Sequence, residues 1–250
     1  MSLFKGKVAV VTGGTRGIGR AISLNMAEAQ AKVFALYGRD RAAADALSEE
    51  AKRRGLDIVC VRGDLTRAEK FQEIMSELGS HADQVDFIVH SAASGVHREA
   101  LELSLKHMQW TFDINVFAAH NLIQNLRPKL RPGARIIGVT SSGGTRVIPF
   151  YAAVGSSKGA LESLFRHYAY ELAPHGIAVN LVCPGLVLTD AVEAFPDKEK
   201  RLNKTMDATP TGRLTTPEDV AHLVRFLCLP ESGQIIGQTL VMDGGKSLIS

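Results

Sequence analysis

Lys7-Val-Ala-Val-Val-Thr-Gly-Gly-Thr-Arg-Gly-Ile-Gly19 decides the fold. Lys7 to Val11 is a short apolar run of the buried-strand type. It runs directly into Thr12-Gly-Gly-Thr-Arg-Gly-Ile-Gly19, and a helical pattern follows from Arg20 to Ala29, with Ile22, Met26 and Ala29 on one side. Strand, glycine loop and helix in this order meet the physical needs of a pyrophosphate site. Glycines let the backbone approach the phosphates, and a helix N-terminus offers N–H groups and a positive dipole end. The spacing is G-x3-G-x-G through Gly13, Gly17 and Gly19, with Thr15, Arg16 and Ile18 between them.

The same alternation continues outward. Lys32 to Tyr37 reads as a second strand, Asp57 to Val61 as a third, Val85 to Val89 as a fourth, Arg135 to Thr140 as a fifth, Ile177 to Val182 as a sixth and Gln238 to Met242 as a seventh. Helical patterns lie between them at Ala42 to Arg54, Arg67 to Leu78, Leu103 to Arg127 and Tyr151 to Ala173, and Thr216-Pro-Glu218 starts another that runs to Leu229. No linker, repeat or low-complexity tract interrupts the series. This predicts one α/β domain over residues 1–250, a doubly wound, Rossmann-type fold with a seven-stranded parallel sheet and helices on both faces. Ala191 to Thr211 is polar and weakly periodic, so a lid is expected at about 190–211.

Ligands of such sheets bind beyond the carboxyl ends of the strands. Gly13, Arg39, Asp64, Ser91, Ser141 and Pro184 all follow strand ends, which brings them to one edge. An acidic residue after the second strand would hold a 2′-hydroxyl; here Arg39, with Arg16 in the glycine loop, can clasp a 2′-phosphate and favours NADPH over NADH. Asp40 is the main reservation, and the alternative is that Arg39 and Arg41 simply begin a solvated helix from Ala42 to Arg54. Asp64 can accept from an adenine amino group, or Asp64 or Thr66 can cap the next helix. Asn115 inside a helical pattern is mildly unfavourable, so either a specific partner or neighbouring backbone holds it.

Composition sets the class. A chain of 250 residues, 45% hydrophobic and 22% charged, is an ordinary soluble globule. The formal net charge of +3 suits an acidic partner but is too weak to imply nucleic acid. Cys60, Cys183 and Cys228 are odd in number, far apart and without a metal pattern, as expected of reduced thiols in a cytoplasmic protein. No run reaches the ~18 apolar residues of a membrane span.

Tyr151-Ala-Ala-Val-Gly-Ser-Ser-Lys158 carries the chemistry. Read as a helix, Tyr151 and Lys158 lie within about 20° of one face and about 10 Å apart along the axis. A phenol and an ammonium on one face suggest a general acid whose pKa a cation lowers; alternatively, the tyrosine packs at a helix start and the lysine is solvated.

Taken together, Thr12-Gly-Gly-Thr-Arg-Gly-Ile-Gly19, Asp64-Leu65, the turn Ser91-Ala92-Ala93, Asn115, Ser141, the Tyr/Lys pair, Pro184-Gly185 with Thr189, and Asp243-Gly-Gly245 resemble the short-chain dehydrogenases/reductases over essentially the whole chain. The resemblance implies cofactor contacts from Gly13, Thr15, Arg16, Gly17, Ile18, Gly19, Arg39, Asp64, Leu65, Ser91, Ala92, Ala93, Lys158, Pro184, Gly185 and Thr189. It implies a catalytic set of Tyr151, Lys158, Ser141 and Asn115, no metal, and a homotetramer. Most members carry Tyr-x-x-x-Lys and Asn-Asn-Ala-Gly; here Val154 stands where that tyrosine would be, and His90-Ser91-Ala92-Ala93 replaces the second motif. Tyr-x6-Lys is the spacing of the enoyl-acyl-carrier-protein reductase branch, and Ala92-Ala-Ser-Gly-Val96 looks most like its third, NADPH-dependent class. The expected activity is reduction of a trans-2-enoyl thioester, with a carbonyl or 3-oxoacyl reductase, a secondary-metabolism reductase or a non-catalytic NADPH-binding scaffold as alternatives. An acidic acyl carrier protein would suit Lys198, Lys200, Arg201 and Lys204 in the lid, or Arg127, Lys129 and Arg131 in one loop; each cluster is otherwise a solvated surface.

Overall fold

The alternation of apolar runs resolves into seven strands: β1 (Val8–Thr12), β2 (Lys32–Tyr37), β3 (Ile58–Arg62), β4 (Val85–His90), β5 (Leu130–Val139), β6 (Ala178–Pro184) and β7 (Thr239–Met242). They form a single parallel sheet in the order β3-β2-β1-β4-β5-β6-β7. The structure, a computed structural model, describes residues 2–188 and 198–248. The helices are α1 (Gly17–Glu28), α2 (Arg41–Arg54), α3 (Ala68–His81), α4 (Leu105–Phe112), α5 (Ala118–Leu126), α6 (Ala152–Leu172), α7 (Lys198–Asp207) and α8 (Pro217–Leu227).

The period of two in each strand sends alternate residues to two cores. Val10, Phe34, Leu36, Ile88 and Ile136 meet Leu122, Leu161 and Phe165 on one face. Ala9, Val11, Val33, Val89 and Val139 meet Ile22, Met26, Val220 and Leu227 on the other. Strands buried on both faces are the reason these runs read as continuous hydrophobic stretches rather than as alternating ones. The connections reverse direction at β1, which lies between β2 and β4, and a crevice opens beyond the carboxyl ends at such a switch point.

Some expectations are corrected. The helix expected from Leu103 to Arg127 begins at Leu105 and is interrupted by a π-helical turn at Asp113–Phe117. Lys198–Asp207 of the expected lid is a regular helix; weak apolar periodicity had concealed it, because its side chains are mostly charged. Residues 190–197, including Ala191 to Pro196, and Thr189 lie outside the described residues. Arg127, Lys129 and Arg131 sit where β5 begins, at the end of the sheet opposite the crevice. Lys129 donates to the Ala82 carbonyl at 2.7 Å and Arg131 to that of Pro128 at 2.8 Å, so both turn back on the backbone. Among the described residues no helix is long and apolar enough to cross a membrane, and no cluster of His, Cys, Asp and Glu could hold a metal ion.

Candidate active site

The glycine loop is built to leave no room. Gly13 adopts φ +63°, and a Cβ there would lie 3.0 Å from the Ala92 Cα, so the loop touches the strap that follows β4, Ser91 to Gly95, backbone to backbone. A Cβ on Gly19 would lie 2.1 Å from the Gly13 carbonyl oxygen, which is how α1 starts directly under the loop. Thr15 is buried and Arg16 exposed at the helix start, with Gly17 and Ile18 half-covered between them. This is a cradle that a side chain would fill and a dinucleotide phosphate fits.

Thr12 ties this loop to β4. Its hydroxyl accepts from the Ser91 and Ala92 N–H groups at 3.2 and 3.0 Å and donates to His90 Nδ1 at 3.0 Å. His90 Nε2 in turn donates to the Asn115 carbonyl at 3.2 Å, which assigns the tautomer, because a carbonyl only accepts. Burial, with the Lys158 charge nearby, pushes His90 down to about 3, so the imidazole is neutral. Ala93 is exposed beside it.

The positions expected near the adenosine end of the cofactor separate. Asp40 is the N-cap of α2, accepting from the Ala43 N–H at 3.0 Å, which gives that carboxylate a structural partner and leaves Arg39 exposed next to it. Arg41 pairs with Asp45 at 3.6 Å on the helix surface. Neither Asp64 nor Thr66 caps α3: Asp64 accepts from the Thr66 N–H and hydroxyl at 3.0 and 2.6 Å, and Arg67, which bears no capping oxygen, is at the N-cap. Burial raises the Asp64 pKa, but the Thr66 bonds and the Arg67 and Arg39 charges outweigh it and leave the carboxyl below its ordinary value. Leu65 packs against the first core. Pro184 ends β6, and Gly185 donates to the Met242 carbonyl at 2.8 Å.

The positions expected to be catalytic converge around the start of α6. Asn115, fully buried in the π-turn, receives the Ser94 N–H at 2.9 Å and donates to Ser157 Oγ at 2.9 Å. It thus has specific partners across the site rather than local backbone. Lys158, 4% exposed, donates from Nζ to the Val139 carbonyl at 2.8 Å. Burial pushes Lys158 down to about 8, against Glu162 and Cys183, which favour its charge. Tyr151 is the N-cap of α6, not its first helical residue, so the helical-wheel angle to Lys158 is only approximate. Its phenol meets the Ser141 hydroxyl, and Ser141 Oγ accepts from the Gly143 N–H at 3.3 Å. The expectation that a cation lowers the phenol pKa is not met: burial raises it, outweighing the Ser141 bond, and Lys158 is not among the causes. The phenol therefore stays protonated at neutral pH. Val154 is buried against Gly95, where a Cβ would lie 2.2 Å from Val154 Cγ2. The position where most relatives keep their tyrosine is thus filled by a packed aliphatic group.

Sequence reasoning did not assign roles to several residues here. Glu162, 5% exposed and one turn after Lys158, accepts from the Thr140 hydroxyl at 2.7 Å; an acid in an apolar helical stripe is its signal. Ser157, beside Lys158, anchors Asn115. His97 packs beside Tyr151, with ring centroids 5.7 Å apart and the planes tilted by 38°.

A sequence profile described as "Enoyl-(Acyl carrier protein) reductase" matches residues 13–247. This chain belongs to the short-chain dehydrogenase/reductase family. Within that family it is 32% identical to a 3-oxoacyl-[acyl-carrier-protein] reductase of Staphylococcus epidermidis, over 96% of this chain and 98% of that one. It is 30% identical to the 1-cyclohexenylcarbonyl-CoA reductase of Streptomyces collinus, over 98% and 88%. A short chain dehydrogenase from Burkholderia cenocepacia, solved in complex with NADP, superposes with a TM-score of 0.88 at 29% identity, covering 98% of this chain and 99% of that one. The chain is accordingly an oxidoreductase of the Rossmann-like short-chain type.

Proposed function

We propose that this short-chain reductase uses NADPH to reduce the C=C bond of a trans-2-enoyl thioester. The observation that carries the reading is the position of the acid: Tyr151 faces Ser141 one turn before the usual place, and Val154 fills that place with a group that has no proton. Reduction at a β-carbon builds negative charge on the thioester oxygen, two atoms further on, whereas carbonyl reduction builds it on the oxygen of the attacked carbon. A phenol set back by one turn suits the more distant oxygen.

NADPH, when bound, supplies the hydride. Gly13 to Gly19 would hold its pyrophosphate, Arg16 and Arg39 its 2′-phosphate, Asp64 and Leu65 the adenine, Ser91 to Ala93 and Lys158 the ribose side, and Pro184, Gly185 and Thr189 the nicotinamide side. Tyr151, kept protonated by burial, donates to the developing oxyanion. Ser141 donates to the phenol oxygen and fixes its direction. Asn115 locks the strap at Ser94 to α6 at Ser157, which sets the floor of the site. Delivery of the acyl chain on an acidic carrier, with Lys204 of α7 as one of its contacts, and a cytoplasmic homotetramer belong to the same reading.

A second reading has its own support: the 3-oxoacyl relative acts, by its name, on a C=O group. Tyr151→Phe tests the acid. With crotonyl thioester, turnover is expected to fall about 10²–10³-fold, while NADPH binding, followed by fluorescence titration, stays unchanged. Full turnover in this variant would remove the phenol from the mechanism.

A further inference from the structure

Two hydrogen bonds, one helical turn apart on α6, hold the end of β5. Lys158 Nζ donates to the Val139 carbonyl at 2.8 Å, and the Thr140 hydroxyl donates to Glu162 Oε1 at 2.7 Å. Thr140 and Glu162 are both buried, so the second bond is closed off from solvent. The residue after Thr140 is Ser141, whose hydroxyl meets the Tyr151 phenol. The turn that follows lies flush on α6. A Cβ on Gly144 would be 2.9 Å from Glu162 Oε1, and one on Gly155 would be 2.6 Å from the Gly143 carbonyl oxygen. Glu162 therefore sits under the segment that carries Ser141 and one turn along the helix from Lys158.

Burying a carboxylate costs free energy that a neutral side chain does not incur. A glutamine oxygen would serve the Thr140 hydroxyl equally well, so the charge itself needs a purpose. We infer that Glu162 is a positioning residue of the active site: its oxygen holds Thr140, and through it Ser141, in place, and its charge keeps Lys158 an ammonium. The inference rests on Lys158 facing the cofactor as proposed above, and it is the same for a C=C or a C=O substrate.

The other ionisable groups around Lys158 supply no negative charge near neutrality. His90, from β4, is neutral. Burial pushes the thiol of Cys183, on β6, up to about 11 and keeps the Tyr151 phenol protonated. Asp243 and Arg146 act on Cys183 and on each other rather than on Lys158. Burial disfavours the Lys158 ammonium, and the Glu162 charge opposes that effect, which leaves the group at about 8. Replacing the carboxylate by an amide removes the opposing charge, so the lysine gives up its proton at a lower pH.

The test uses the whole protein. NADPH binding is followed by fluorescence titration from pH 6.5 to 9, and NADPH oxidation with whichever of the crotonyl and acetoacetyl thioesters wild type consumes. Wild-type affinity is expected to fall as the pH rises through about 8. Glu162→Gln keeps an acceptor for Thr140 and removes the charge; its fall is expected about one pH unit lower. His97, beside Tyr151, is common to both proteins, so the displacement between the two profiles is what is read. Glu162→Leu removes the acceptor as well, and its turnover at pH 6.5 is expected to be at least about tenfold below that of Glu162→Gln. Coincident binding profiles for wild type and Glu162→Gln would overturn the assignment, as would equal turnover in the two variants. If Glu162→Leu does not fold, the Glu162→Gln profile decides alone. A wild-type profile flat to pH 9 would remove the Lys158 charge from cofactor binding, and the inference would go with it. Consumption of the acetoacetyl thioester alone would sink the enoyl reading and leave the inference standing.

Discussion

His90 shows how a single departure from a family pattern redirects a network. An amide at this place would present one donor and one acceptor; the imidazole presents the same pair on a rigid ring, and both are used, toward Thr12 and Asn115. The arrangement works only while the ring is neutral. In the unfolded chain an imidazole holds its proton below about 6.5, whereas in the folded protein His90 gains one only near 3. Between these values the unfolded state binds more protons, so this group's contribution to stability falls as the pH drops from 6.5 toward 3. Each unit is worth about 1.4 kcal/mol, so the full window amounts to at most about 5 kcal/mol. Urea unfolding across pH 4–7 is expected to show a flatter slope for His90→Asn than for wild type. Equal slopes would mean that the ring accepts its proton without loss.

At the scale of elements, a helix start and an interruption within a helix carry opposite lessons. The reservation over Asp40 disappears once α2 is seen to begin there: the carboxylate is spent on the Ala43 N–H. Asp40→Ala is expected to cost about 0.5–2 kcal/mol of stability and to leave the ratio of NADPH to NADH affinity where it was. Arg39→Ala should instead lower that ratio at little cost in stability, as read by paired cofactor titrations and thermal unfolding. The reverse pattern would return Asp40 to the ribose. The π-turn at Asp113–Phe117 was not legible in the sequence, because an extra residue in a helical turn leaves the apolar spacing on either side intact. Its effect is to turn Asn115 inward to Ser94 and Ser157. Asn115→Ala would leave the Ser94 N–H without this acceptor, a loss of about 1–3 kcal/mol, and calorimetry with NADPH should report weaker binding as the strap loosens.

At the scale of the molecule, the alternation of apolar runs and glycine-punctuated helices was enough to read seven strands and their common edge. Strands buried on both faces announce themselves by composition, and helix starts by Pro217 after Thr216 or by the glycine loop before α1. What stayed hidden were contacts between distant segments. Nothing near Glu162 in the sequence indicates Thr140, 22 residues away, and nothing near His97 indicates Tyr151. Such pairs arise from the order of strands in the sheet, which joins the ends of β4, β5 and β6 across α6. The same order explains why the basic loop at Arg127 to Arg131 sits at the far end from the crevice, although its charge alone made it an equal candidate for a carrier surface.

The central claim is that the set-back phenol serves a C=C bond. The most direct measurement is the rate of NADPH oxidation by the purified protein with crotonyl and acetoacetyl thioesters side by side, with the product of each identified by mass. The account predicts rapid consumption of the crotonyl substrate to the saturated butyryl thioester and little or no 3-hydroxybutyryl product from the other. Rapid formation of the 3-hydroxy product with the crotonyl thioester left intact would contradict it.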